Sequence, residues 1–180
     1  MAVAMPRRLV LVRHAKSAWD DPGLDDHDRP LNARGRRDAP MMAARLASRS
    51  WPVAAIVSST ALRARATAEA LHQALPEALL VLDRGCYHAA PAALLRRVRA
   101  WATAWPAVAL VGHNPGLSEF LDLLCGTTAS DLPTAAVALL QLDCADWSAL
   151  APGQARLVGL DTPKAPLQEG PIPGATMAGR

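Results

Sequence analysis

Six short apolar runs are spaced along the chain, and a segment with helical periodicity follows each of the first four. The apolar runs cover residues 8–13, 53–58, 79–83, 107–112, 135–142 and 155–160. The helical segments cover residues 33–48, 63–75, 91–104 and 117–124. This alternation predicts a three-layer α/β fold, in which helices cover both faces of a mostly parallel central sheet. The last two strands are joined by a short, turn-rich link, which favours an antiparallel hairpin.

The ends of the predicted helices carry recognisable residues. Asn32 stands where an N-cap is expected, and Gly126 follows the fourth helix as a C-terminal glycine should. Pro91 suits the first turn of the third helix. Pro40 lies inside the first helical segment, so we expect either a kink there or a later start near Asp38.

Length and composition favour a single domain, which is predicted to cover residues 1–160 of the 180. Residues 161–180 contain four prolines and three glycines, which predicts a flexible tail. The formal net charge of +3 is small and scattered, and it argues against a nucleic-acid partner. Three widely separated cysteines suggest reduced thiols in a cytoplasmic protein. No apolar stretch approaches the ~20 residues of a membrane span.

Polar clusters stand at the ends of the strands that the pattern predicts to be parallel. Arg13 and His14 end the first strand, Arg63 follows the second, and His113 follows the fourth. Because the carboxyl ends of parallel strands share one edge of a sheet, we expect these four side chains to converge. The planar guanidinium groups suit the oxygens of a phosphoryl group, and Arg63 opens a helix whose amides also attract anions.

His14 is the candidate nucleophile of this cluster. A single histidine at a strand end is more often a solvated or capping residue than a catalytic one. Here two arginines are expected nearby, and their charges should disfavour the protonated ring. A neutral imidazole that faces a bound phosphoryl group is a nucleophile.

Three motifs together resemble those of a known family. Arg13-His14 after an apolar strand, Arg63-Ala64 after the second strand and Gly112-His113-Asn114 resemble the histidine phosphatase superfamily, which includes cofactor-dependent phosphoglycerate mutase. The stretches RHAKSAW (13–19), DRPLNARG (28–35) and VGHNPG (111–116) are more similar to the small SixA-type phosphohistidine phosphatases. The resemblance spans residues 9–142 and implies a phosphoglycerate mutase-like fold.

The resemblance also implies roles for five residues. His14 would be phosphorylated transiently, while Arg13 and Arg63 would hold the phosphoryl oxygens. His113 would contact the phosphoryl group and stabilise charge in the transition state. Ser17 would lie in the substrate pocket. The resemblance implies neither a cofactor nor a metal ion.

The sequence departs from the family pattern in two places. Ala15 replaces the glycine that usually follows the histidine of the first motif, which is a small change. Larger members carry a carboxylate that protonates the leaving group, and Arg84 stands at that position, with Asp83 one residue before it. A phosphohistidine needs such an acid less than an alcohol ester does, because its imidazole can be protonated before cleavage. The departure therefore favours phosphohistidine on a protein as the substrate, with small phosphorylated molecules as the alternative.

Other interpretations remain open at this point. A broad phosphomonoesterase or mutase would need Asp83 as its acid, and a phosphate-binding module would bind without turnover. His27 lies in an acidic run that is interpreted as a solvated loop rather than as a metal site. His88, beside Tyr87, is a less favoured candidate for the rim of the pocket, and its role stays open. Nothing indicates an oligomer, so a monomer is favoured, and the sequence names no physiological substrate.

Overall fold

The computed structural model describes residues 6–49 and 51–167. Its strands are β1 (Arg8–Arg13), β2 (Ala55–Ser58), β3 (Leu79–Leu82), β4 (Ala107–Gly112), β5 (Val137–Leu142) and β6 (Ala155–Asp161). Its helices are α1 (Ala33–Ala47), α2 (Leu62–Ala74), α3 (Pro91–Arg99) and α4 (Gly116–Cys125). Short 3-10 turns cover Asp26–Asp28, Arg84–Cys86 and Trp147–Ala149.

The six strands form one sheet in the order β3-β2-β4-β1-β5-β6. The pairs β2–β3, β2–β4 and β1–β4 are parallel, whereas β5 runs antiparallel to β1 and to β6. The mostly parallel sheet and the final hairpin are both confirmed. In the pairing of β1 with β4, Arg13 stands opposite Gly112. The residues that follow these two strands therefore leave the sheet side by side.

Alternate residues of the central strands point to opposite faces of the sheet, as strand geometry requires. Leu9 and Leu11 belong to a buried cluster formed with α3 and α4, while Val10 and Val12 belong to a second cluster formed with α1 and α2. Each face of the sheet is thus covered by two helices. The three-layer α/β architecture predicted from the sequence is confirmed.

The first helix begins where its N-cap predicts. The side chain of Asn32 accepts a hydrogen bond of 2.9 Å from the backbone amide of Gly35, and α1 begins at Ala33. The alternative of a later start near Asp38 is therefore wrong, and Pro40 lies inside the helix. A side chain at position 35 would place its Cβ 2.1 Å from the carbonyl oxygen of Lys16. Glycine is required there because α1 packs directly on the loop that follows β1.

The third helix ends at Arg99, earlier than residue 104, where the sequence pattern predicts its end. Two tryptophans explain the early end. Trp101 packs edge-on against Trp147, with ring centroids 5.2 Å apart. The carbonyl of Trp105 accepts a 2.8 Å hydrogen bond from the indole of Trp147. The chain leaves the helix so that both tryptophans pack on the core.

The last strand extends to Asp161, one residue beyond the predicted end of the domain. The Asp161 carboxylate is buried and pairs with Arg45 at 3.2 Å and with Arg49 at 3.0 Å. Residues 168–180 of the predicted tail lie outside the described residues. Within residues 6–49 and 51–167, no helix has the length and apolar character needed to cross a membrane.

Candidate active site

The edge of the sheet that holds the ends of β1 and β4 brings two buried histidines together. His14 is 8% exposed and His113 is 5% exposed, and their ring centroids are 5.0 Å apart. Arg63, in the first turn of α2, reaches the same point, and its Nε lies 3.3 Å from Nε2 of His14. The four side chains predicted to converge all line one cleft of about 190 Å³. The cleft is lined by Arg13, His14, Lys16, Ser17, Trp19, Asp26, Arg29, Arg63, His88, His113, Asn114 and Thr134.

The hydrogen bonds of His14 fix which of its ring nitrogens is free to react. Nδ1 lies 2.8 Å from the carbonyl oxygen of Ala15, which can only accept, so Nδ1 carries the proton. Nε2 faces Nε of Arg63, which can only donate, so Nε2 carries the lone pair. Both contacts select the same neutral tautomer. They also direct the nucleophilic nitrogen into the cleft, between the arginines.

Burial lowers the pKa of His14, and the nearby charges of Arg63, Arg13 and Arg29 add to this shift, while the hydrogen bond to Ala15 opposes it. The net result is a pKa of about 4. An ordinary histidine titrates near ~6.5. His14 is therefore neutral, and able to act as a nucleophile, throughout the neutral pH range.

We expect the ring of His14 to show no titration between a pH of about 5.5 and about 8, because its pKa lies well below this range. The measurement is a pH series of histidine ring NMR spectra, in which the His14 signals are assigned from their absence in His14→Gln. The nitrogen shifts should report a protonated Nδ1 and an unprotonated Nε2. A midpoint near ~6.5 for this ring would contradict the account.

Arg13 and Arg63 are held in place by contacts with other protein groups. Nη1 of Arg13 donates a 2.6 Å hydrogen bond to the carbonyl of Leu132 and lies 3.9 Å from the Asp131 carboxylate. Nη2 of Arg63 donates to the Asp26 carboxylate at 2.8 Å, and its Nη1 donates to the Asp26 carbonyl. These contacts hold two guanidinium groups beside His14 without any bound anion.

The second histidine is held by the end of β2. Nε2 of His113 lies 2.8 Å from the Ser59 hydroxyl, and its Nδ1 is buried without a hydrogen-bond partner in the described part of the chain. Burial keeps the pKa of His113 far below its ordinary value, and its neighbours His14, Arg63 and His88 contribute to the shift. A neutral His113 can therefore contribute one N–H hydrogen bond to an anionic ligand.

Asp26 is a central residue of the cleft that the sequence analysis did not single out. Its carboxylate contacts Arg63 at 2.8 Å, Arg29 at 2.8 Å, Tyr87 at 2.7 Å and His88 at 3.1 Å. Partial burial by itself would raise the pKa of Asp26. The hydrogen bonds from Tyr87, Arg63 and His88, together with the charge of Arg63, hold it well below its usual range. The acidic run at residues 25–28 is thus in part a support for arginines that line the cleft.

Arg29 joins the cleft through the same loop, and it is only 6% exposed. It donates hydrogen bonds to the Ala18 carbonyl at 2.9 Å, to Asp26 at 2.8 Å and to the Ser17 hydroxyl at 2.6 Å. Ser17, predicted as a pocket residue, lines the cleft and positions Arg29. Arg29 belongs to the DRPLNARG motif, but the motif alone predicts no role for it.

The predicted candidates for a leaving-group acid lie elsewhere. Asp83 accepts hydrogen bonds from Arg97 at 2.5 Å and from the Gly85 amide at 2.8 Å, and neither Asp83 nor Arg84 lines the cleft. By contrast, His88 does line it, so the less favoured interpretation of His88 as a pocket residue is the correct one. The His88 ring stacks on His113 at a centroid distance of 5.1 Å. Its backbone φ of +47° is rare for a residue with a side chain.

Comparison with known proteins agrees with this geometry. A family model described as the histidine phosphatase superfamily (branch 1) matches residues 9–85. The crystal structure of a candidate SixA phosphohistidine phosphatase from Agrobacterium tumefaciens is 33% identical, with a TM-score of 0.77 over 88% of this chain and 99% of that one. The uncharacterised protein Rv1276c of Mycobacterium tuberculosis is 32% identical over 163 residues, which are 85% of this chain and all of the relative.

The chain belongs to the histidine phosphatase superfamily. Within this superfamily it is SixA-like, and its fold is the phosphoglycerate mutase-like fold that the resemblance implied. Members of the histidine phosphatase superfamily are phosphatases and mutases, which supports a general hydrolase activity for this chain.

The fold of the histidine phosphatase superfamily also serves other substrates. A mycobacterial glucosyl-3-phosphoglycerate phosphatase is 18% identical to this chain, with a TM-score of 0.64 over 84% of this chain and 96% of that one. At this identity the likeness shows the fold alone. The choice among substrates must therefore come from the residues of the cleft.

The structure also bears on the question of a metal site. Within the described residues, no group of three or more histidine, cysteine, aspartate or glutamate side chains is arranged to hold a metal ion. His27, in the acidic run, instead contacts the Thr60 hydroxyl at 2.9 Å and the Asp28 carboxylate at 3.1 Å. The cations that face the cleft are those of arginine and lysine side chains.

Proposed function

We propose that this member of the histidine phosphatase superfamily hydrolyses phosphohistidine, without a metal ion, through a phosphoryl group carried transiently on Nε2 of His14. The observation that carries the proposal is the tautomer of His14. The carbonyl of Ala15 holds the proton on Nδ1, and the lone pair of Nε2 lies against the Arg63 guanidinium, where a phosphoryl group would be bound.

The reaction proceeds in two displacements. In the first, Nε2 of His14 attacks phosphorus, a new N–P bond forms, and the P–N bond of the substrate breaks. The departing imidazole leaves with a proton. In the second, water attacks phosphorus, the His14–P bond breaks, and phosphate departs from a regenerated neutral His14. Arg13 and Arg63 bind the phosphoryl oxygens, and His113 donates a hydrogen bond to them.

The charges around the cleft fit a phosphoryl group. Arg13, Arg29, Arg63 and Lys16 line the cleft, and Asp26 is its one acidic lining residue in the described part of the chain. Asp131 lies near Arg13, but its side chain is largely exposed. The surplus of positive charge balances an anionic group that carries about two negative charges.

The substrate class follows from the state of Asp26. Leaving alcohols need a proton donor, which typically contributes about 10²- to 10⁴-fold to the rate. The Asp26 carboxylate already accepts hydrogen bonds from four side chains and stays ionised, so it has no proton to give. The imidazole of a phosphohistidine can take its proton from water before cleavage. The cleft therefore suits a P–N bond better than an alkyl ester.

The size of the cleft favours a phosphohistidine presented on a protein. Its volume of about 190 Å³ is smaller than the pockets of roughly 300–1,000 Å³ that enclose small molecules. Such a cleft accommodates a phosphoryl group and one ring, while the remainder of the substrate stays outside. We therefore propose a phosphorylated protein, rather than a nucleic acid or a membrane, as the partner of a cytoplasmic monomeric enzyme.

We expect kcat/KM for phosphohistidine to exceed that for glycerol phosphate by at least about 100-fold, because only the alkyl ester needs an enzymatic acid. The measurement is phosphate release from both substrates and from phenyl phosphate, with the spontaneous rate subtracted using His14→Ala. EDTA should leave all the rates unchanged, and vanadate should inhibit. Equal activity on glycerol phosphate, or a loss with EDTA that a divalent metal restores, would contradict the proposal.

A second candidate function is a broad phosphomonoesterase. His88 favours it, because this half-exposed ring lies in the cleft 3.1 Å from the Asp26 carboxylate and could supply a proton to an alcohol. This function predicts high activity on glycerol phosphate that His88→Gln lowers more than it lowers activity on phenyl phosphate. Binding of vanadate without turnover of any substrate would instead indicate a phosphate-binding module.

A further inference from the structure

We propose that Trp19, backed by Arg29, forms a subsite that binds the planar ring of the leaving group. The inference rests on the proposed function, which supplies a leaving group with a ring, and it assigns this ring a binding position. The subsite would select phosphoryl donors that carry an aromatic ring over donors of the same phosphoryl group that carry none.

Trp19 is placed unusually for a tryptophan. Its side chain is 74% exposed, which makes it the most exposed large hydrophobic side chain in the described part of the chain. It nevertheless lines the same cleft as His14 and Arg63. An indole left in water forgoes the burial that normally stabilises this side chain. A position on the cleft that contains the reacting nitrogen lets the exposed ring bind a ligand.

Arg29 holds the ring in place. The centre of its guanidinium group lies 3.1 Å from the centroid of the indole, so one face of Trp19 is covered. Arg29 itself is fixed by Ala18, Asp26 and Ser17 through three hydrogen bonds of 2.6–2.9 Å. The platform is therefore preorganised, and its position does not depend on a ligand.

Arg29 also connects this platform to the phosphoryl position. Arg29 and Arg63 both donate to the Asp26 carboxylate at 2.8 Å, and Arg63 faces Nε2 of His14 at 3.3 Å. Trp19 lies on Arg29 and lines the same cleft, so a donor whose phosphoryl group lies against His14 can place its leaving group against the indole. An aromatic ring stacks on an indole, and a protonated imidazole is also attracted to the π face. An amine or alkyl group gains little from either interaction.

The test uses two phosphonates that the enzyme cannot hydrolyse, phenylphosphonate and methylphosphonate, and measures their binding by calorimetry. Wild-type protein is expected to bind phenylphosphonate about five- to tenfold more tightly, from a stacking interaction of ordinary strength. Trp19→Ala should abolish this preference by weakening only the phenyl compound, and Trp19→Phe should retain most of it. Leu24→Ala, an exposed apolar residue on the same loop, is the matched control and should retain all of it.

Kinetics provide the second measurement, with N-phosphoimidazole and phosphoramidate as a pair of P–N donors with and without a ring. Trp19→Ala should raise KM for N-phosphoimidazole by a similar factor and leave phosphoramidate unchanged. Equal weakening of both members of either pair would show that Trp19 only supports Arg29, and no weakening would show that it binds nothing; either result overturns the inference. A wild-type enzyme that binds phenylphosphonate preferentially but hydrolyses no P–N bond would refute the proposed function while upholding the subsite.

Discussion

Replacing His14 by alanine is expected to lower kcat on the order of 10⁴-fold or more, because the proposed covalent intermediate forms on its Nε2. The fold should survive, since the His14 ring lies at the end of β1 and its hydrogen bonds within the described part of the chain are those with Ala15 and Arg63. The measurement is steady-state turnover of phosphohistidine together with thermal unfolding.

The matched control for this variant is His72→Ala. His72 lies on α2 and does not line the cleft. Its replacement should leave turnover within about twofold of wild type, as is usual for a position away from the reacting groups. Turnover by His14→Ala near the wild-type rate, with an intact fold, would refute His14 as the nucleophile.

The second large effect is expected from Arg63→Met, which should lower kcat/KM by about 10³-fold. The methionine keeps much of the side-chain volume but removes a guanidinium group that faces both Nε2 of His14 and the Asp26 carboxylate. The loss of a phosphoryl-binding donor accounts for part of the effect, and the loss of one of the two arginines that hold the Asp26 carboxylate accounts for the rest. Both kcat and KM should change, which saturation kinetics would show.

Arg65→Met is the control for Arg63→Met, because it removes the same charge from the same helix. Arg65 is exposed and pairs with Glu69 at 2.7 Å on the outer face of α2. Exposed pairs of this type contribute about 0.3–0.5 kcal/mol to stability, so its loss should hardly affect either stability or rate. Equal losses in the two variants would mean that only net charge matters, which contradicts the assigned role of Arg63.

The positions of the candidate catalytic side chains could be predicted from the sequence because they depend on the sheet. Once β1 and β4 are adjacent and parallel, the residues that follow Arg13 and Gly112 must leave the sheet together. The residue at the end of each strand depends on the local sequence, and which strand ends are adjacent depends on the strand order. His14 and His113 could therefore be placed from motifs alone.

The supporting residues could not be predicted in the same way. Asp26 and Arg29 lie on a loop with a single 3-10 turn, so no periodic pattern fixes where their side chains point. Their partners, Arg63 and His88, come from distant parts of the chain. An acidic run of this kind has the same composition whether it is solvated or folded over a cleft. Only the tertiary packing distinguishes the two.

The ends of the helices differ in the same way, because some depend on the local sequence and others on distant contacts. Asn32 caps the start of α1 and Gly126 caps the end of α4, and each acts within one turn of the chain. Both helix ends could therefore be predicted correctly. The end of α3 depends instead on contacts that join Trp101 and Trp105 to Trp147, more than 40 residues away. Helical periodicity continued past Arg99 in the sequence, and tertiary packing ended the helix there.

The most direct test of the account is to trap the phosphoenzyme. A reaction with phosphohistidine, quenched in alkali during turnover, should retain phosphate on His14, because phosphohistidine survives base. The hydrogen bonds of the ring make a more specific prediction, which is attachment at Nε2 and not at Nδ1. Mass spectrometry locates the modified residue, and phosphorus NMR or comparison with standards distinguishes the two isomers. Phosphate on Nε2 of His14 would confirm the mechanism; phosphate on Nδ1, on another residue, or on no residue during active turnover would contradict it.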